Sequence, residues 1–100
     1  MLDKDRIKNN VRTNSSLSDA HKKELLRLID SLNEELQNSE IGNAEQEKSI
    51  SRINKVMPAA ASEGKRVGEI REAVEVFETT HPKITMLIDR ICRMLSDSGI

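Results

Sequence analysis

The chain has 100 residues, 36% of them hydrophobic, and a formal net charge of −1 from 16 basic and 17 acidic side chains. That length holds one small domain, and the even charge balance lacks the concentrated basic face with which proteins grip nucleic acid or anionic membrane. With one aromatic residue, Phe77, and one cysteine, Cys92, the core must be aliphatic, and neither a disulfide framework nor a cysteine-based zinc site can form within one chain.

The first residues, MLDKDRIKNN, are charged from the third position and lack the apolar centre of a signal peptide. No apolar run approaches the ~20 residues of a membrane span, so a cytoplasmic location without membrane contact is expected. Leu2, Ile7 and Val11 make a thin apolar stripe among Lys4, Arg6, Lys8 and Arg12, which predicts a helix over about 3–13. The tract TNSSLSD ends it, because Asn and Ser side chains compete for backbone hydrogen bonds.

Ser18 suits the N-cap of a second helix over about 19–38, with Asp19 in its first turn. Leu25, Leu28, Ile29, Leu32 and Leu36 follow at spacings of three and four, which places them on one face. NSEIGN is a break, with Gly42 as a turn and Asn43 as the next cap. A third helix is predicted over about 44–57, with Ile50, Ile53, Val56 and Met57 in register and Pro58 at its end. PAAASEGKR then reads as a linker.

A fourth helix over 66–79 and a fifth over 82–98 share the sharpest pattern. Val67, Ile70, Val74, Phe77, His81, Ile84, Ile88, Ile91 and Leu95 alternate at three and four, and Leu87 and Met94 broaden the second half. Such spacing packs helices side by side in bundles and coiled coils. His81 and Pro82 interrupt it. An internal proline costs ~3 kcal/mol and pushes the residue before it out of the α region. The expected geometry is therefore a stop near Thr79 or Thr80, with His81 as N-cap and Pro82 at the favoured first helical position. A single kinked helix is the alternative. Gly99 is expected to close the last helix, with Ile100 folding back on it.

Residues capable of chemistry are few. His21 and His81 are sixty positions apart, far from the four-residue spacing of metal-binding helices. His81 reads as a capping side chain, with a general base or pH-sensitive contact as the functional alternative. Cys92 lies beside Ile88 and Ile91, where a cysteine acts as a small apolar filler. SEGKR falls short of a phosphate-binding loop, since Ala59 and Arg66 stand where a glycine and a hydroxyl residue are required. Glu69, Glu72, Glu75 and Glu78 form an acidic band that reads as a solvated face, or alternatively as a dock for a basic partner.

Phe77-Glu78 followed by His81-Pro82, and a last helix running to Gly99-Ile100, resemble the C-terminal signature of a family of short bacterial proteins classed as a domain of unknown function. The stretch SLSDAHKKELLRLIDSLNEEL is similar to that family's Leu-rich helix. The resemblance covers about 2–38 and 67–100, and residues 39–66 read as an insertion. It implies a small helical cytoplasmic protein with no assigned activity.

The sequence thus predicts an all-α fold, a small bundle of three to five helices with coiled-coil-like seams in a single domain. Leu25, Ile29, Leu32, Leu36, Ile70, Val74, Phe77, Ile84, Ile88, Ile91 and Leu95 are the expected packing or interface residues, with His81 and Pro82 as a helix junction. The expected role is a non-enzymatic protein–protein interaction module, self-associating or adapting another protein. No cofactor or metal is expected. A homo-oligomer or a further protein partner is expected, and nucleic acid and membrane are not. Two alternatives are a nucleic-acid-associated regulator using the basic N-terminal helix and a minor enzyme or metal role centred on His81.

Overall fold

A computed structural model describes residues 2–98 of the chain, with the side chains of 2–96. Five α-helices follow in order: α1 Lys4–Thr13, α2 Asp19–Asn38, α3 Ala44–Glu63, α4 Val67–Val74 and α5 Pro82–Ser98. A 3-10 turn at Glu75–Phe77 extends α4. No strand occurs among the described residues, and the fold is an all-α helical bundle. The expected closure by Gly99 and Ile100 lies outside the described residues.

The helices close into a ring. α1 packs on α2 and α3, α3 on α4, α4 on α5, and α5 back on α2. The apolar faces all point inward and form one continuous cluster that includes Ile7, Leu32, Met57, Ile70, Phe77 and Ile91. Leu2, Ile7 and Val11 of the thin N-terminal stripe are buried, and Leu17 in the α1–α2 connection joins them.

The caps follow local chemistry. The Ser18 hydroxyl accepts from the His21 backbone N–H at 3.2 Å, and the Asn43 side-chain oxygen accepts from the Gln46 N–H at 2.8 Å. Each satisfies one of the donors that a helix start leaves without an intrahelical partner.

α3 departs from expectation. It runs straight through Pro58 to Glu63, so the segment read as a linker is the helix's last turn and a half. Proline removes one N–H from the helical ladder, yet Pro58, Ala60 and Ala61 are all buried, and the alanines are the best helix formers available. The buried apolar face outweighs the missing bond. The true stop is Gly64, whose φ of 70° is the left-handed conformation that glycine adopts at least cost. Its N–H donates to the Ala60 carbonyl at 2.8 Å.

Arg66 was expected inside the fourth helix. It stands just before it with a φ of 63°, the one non-glycine residue in the left-handed region among those described. Its guanidinium makes a two-pronged pair with Glu69, one turn into α4. Two left-handed residues within three positions let α3 and α4 fold back on each other through a very short connection.

The fourth helix is also shorter than expected. α4 ends at Val74, and the chain tightens through the 3-10 turn before bending at 78–80. The helix is broken at His81–Pro82, not kinked. Pro82 is the first residue of α5, and the His81 carbonyl accepts from the Ile84 and Thr85 N–H groups at 3.1 and 3.3 Å.

Candidate surface on the outer face of α5

Leu25, Ile29, Leu32, Leu36, Ile70, Val74, Phe77, Ile84, Ile88, Ile91 and Leu95 are all buried within the single chain. Little of their apolar area is left for a neighbour, and only Val74 among them reaches the floor of a surface groove. Phe77 is fully enclosed and meets His81 edge to face, with ring centroids 5.8 Å apart.

The His81 junction is a small polar latch. His81 Nδ1 lies 3.0 Å from the Thr80 hydroxyl oxygen, which also accepts from the side-chain amide of buried Gln46 at 3.1 Å. The His81 N–H donates to the Phe77 carbonyl at 2.8 Å. These bonds tie the α4–α5 corner to the first turn of α3. His21 is exposed at the start of α2 and distant in sequence from this corner. Among the described residues, no group of three or more His, Cys, Asp or Glu is placed to hold a metal ion.

Cys92 is buried on α5. Loss of solvent pushes its thiol from an ordinary value of 9.0 up to about 11, against the opposing pull of the nearby Arg71 guanidinium. A thiol so shielded is a filler, since the thiolate is the reactive form.

One of the four basic residues of α1 is drawn into an ion pair within the chain. Lys8 is engaged by Asp30 of α2, with its ammonium 3.0 and 2.9 Å from the two carboxylate oxygens. The acidic band divides as well. Glu69 and Glu72 lie 3.9 and 3.8 Å from Arg52 of α3, and the hydrogen bond from Arg66 holds the Glu69 carboxyl below its ordinary range. Glu75 and Glu78 instead form one wall of a groove of about 400 Å³ between α4 and α5. Pro82, Thr85 and Met86 line the opposite wall.

Met86 is the residue that the periodicity did not single out. It is 44% exposed and is the one exposed large hydrophobic side chain among the described residues. It also borders a second groove, of about 380 Å³, between α5 and α2, where Lys83 and Arg90 face Glu34 and Glu35. The available signal was its place off the Ile84–Ile88–Ile91 seam, where a surface helix ordinarily carries a polar residue. Lys83, Met86, Arg90 and Arg93 are all exposed on α5, at successive spacings of three, four and three. They form a crest around one flexible apolar side chain, in which Lys83 pairs with Glu35 of α2 at 3.5 Å and Arg93 with Asp89 at 3.2 Å.

No helix among the described residues is long and apolar enough to cross a membrane. No curated protein and no solved structure matches the chain. A family described as a domain of unknown function, DUF4404, matches residues 5–100. That range runs through 39–66, which the motif resemblance left as an insertion, and α3 there supplies Ile50, Ile53, Val56 and Met57 to the common core. The chain belongs to the DUF4404 family of domains of unknown function.

Proposed function

We propose that the domain is a non-enzymatic protein–protein interaction module, acting in the cytoplasm as a self-associating unit or as an adaptor, and that it works through the outer face of α5. The observation that carries this reading is Met86, standing exposed between two grooves while every other large apolar side chain described is buried or partly buried. Methionine is flexible and polarisable, which suits it to contact surfaces that adapt to a partner. The flanking charges, Glu75 and Glu78 on one side with Lys83 and Arg90 on the other, supply the polar rim that orients a docked chain.

A photo-crosslinking amino acid placed at position 86 in the native cells tests this reading. A discrete adduct is expected from that site, and not from the same probe at Lys55, which is exposed on α3. No adduct at 86, or equal labelling from both positions, contradicts it. The nucleic-acid alternative loses support from the Lys8–Asp30 pair, which takes one of its four cations out of play.

A further inference from the structure

We infer that the partner of this face is a second copy of the chain, docked about a twofold axis so that the α5 crest of each copy enters the α4–α5 groove of the other. The inference rests on the interaction-module reading and names its partner. A twofold interface uses the same patch on both copies, so it must carry both halves of every contact. This patch does. Its groove carries Glu75 and Glu78 at the end away from Arg71, and its crest carries Arg90 beside Met86, flanked by Lys83 and Arg93, which pair with Glu35 and Asp89 of their own chain.

The spacing selects the arrangement. α4 and α5 run antiparallel: only residues 79–81 separate Glu78 from Pro82, while Arg71, a full helix earlier, reaches Cys92 further along α5. Two crests laid directly on each other about Met86 would bring Lys83, three residues before it, against Arg90 of the partner subunit, four residues after it. Those like charges repel. If the axis is displaced toward the groove, Arg90 meets a different wall. It lies about 6 Å beyond Met86 at 1.5 Å per residue, which sets it level with the Pro82 end of the partner's groove, where the partner's Glu78 stands. Neither Glu78 nor Arg90 makes a close ion pair among the described residues, and Arg90 acts on Glu24 of α2 only at longer range. Met86 then covers the apolar floor beside Val74 and Pro82 of the partner.

Sedimentation of the full chain over a wide concentration range tests this, comparing wild type with Glu78→Arg, Arg90→Glu and the double variant. The wild type is expected to form dimers. Either single reversal should weaken dimerisation about tenfold or more, and the double variant should recover most of that loss. Both substituted positions are exposed and helix content by circular dichroism should not change; Met86→Lys provides a second disruption that leaves both charges in place. A wild type that stays monomeric throughout, or a double variant no better than the singles, overturns the inference. The crosslink at position 86 separates this failure from that of the module itself. An adduct of twice the chain mass supports the second copy, whereas an adduct with a different protein overturns the dimer and leaves the interaction module standing.

Discussion

The side-chain amide of Asn14 donates a 2.9 Å hydrogen bond to the backbone carbonyl of Ala61, joining two residues 47 positions apart in a buried contact. Ala61 lies in the last turn of α3, where helix carbonyls lack intrahelical donors. Asn14 thus caps α3 from across the bundle, and its own oxygen accepts from the Ser16 N–H at 2.8 Å to turn the chain toward α2. Asn10 donates a second bond from α1 to α3, to the Pro58 carbonyl at 2.8 Å. Replacing Asn14 with Ala should cost about 1–3 kcal/mol of unfolding free energy. Asn14→Asp should cost more, since it sets a buried negative charge against a carbonyl at the negative end of a helix. Urea denaturation of both variants checks the order.

Pro58 and Pro82 make opposite contributions, and their neighbours explain why. Pro58 is followed by Ala59, Ala60 and Ala61, strong helix formers with buried faces, and the helix passes through it. Pro82 is preceded by exposed Thr79 and Thr80, β-branched residues with no apolar area to bury there, and the helix stops. Pro58→Ala should therefore keep the fold and raise stability by about 1–3 kcal/mol, through a restored helical bond, less the lost ring packing. Thermal unfolding followed by circular dichroism measures it, and a lower midpoint would mean that the ring's contacts dominate.

Phe77 and His81 touch, yet their truncations should differ greatly. Phe77→Ala empties the largest fully buried site in the core and should cost about 3–5 kcal/mol. His81→Ala removes an edge contact and one exposed hydrogen bond, and should cost about 1 kcal/mol or less. A His81→Ala protein that keeps its melting temperature but loses a ligand or activity readout would instead favour the enzyme or metal reading of that residue.

The thiol of Cys92 gives the protein an alkaline limit. Its folded value, about 11, lies above its ordinary 9.0, so between these two values the folded state holds a proton that the unfolded chain has lost. Stability from this group is full below pH 9 and falls as pH rises toward 11. Cys92→Ala should flatten that part of the profile, which urea denaturation at successive pH values would reveal.

The aliphatic register was legible because three-and-four spacing admits only one geometry for Leu25 to Leu36 and for Val67 to Leu95. Ser18 and Asn43 were legible as caps because the bond they make is local. What escaped were features decided at a distance. The extension of α3 past Pro58 depends on burial against α1, and neither Asn10 inside α1 nor Asn14 at the start of a Ser-rich stretch gives a sign of its partner in α3. Arg66 in the left-handed region was equally hidden, since its conformation answers to the tight α3–α4 connection and to Glu69. Met86 was visible as an apolar residue off the seam, but its significance required the two grooves on either side of it.

The account turns on where the Leu and Ile seams are buried: inside one chain, which leaves the outer face of α5 for contact. Thermal unfolding at concentrations where light scattering gives the mass of a single chain is the most direct test. A cooperative transition whose midpoint stays constant over about a further tenfold dilution is the predicted result. Loss of cooperativity once the chain is monomeric, or a midpoint that keeps falling with dilution, would place those seams between chains and contradict it.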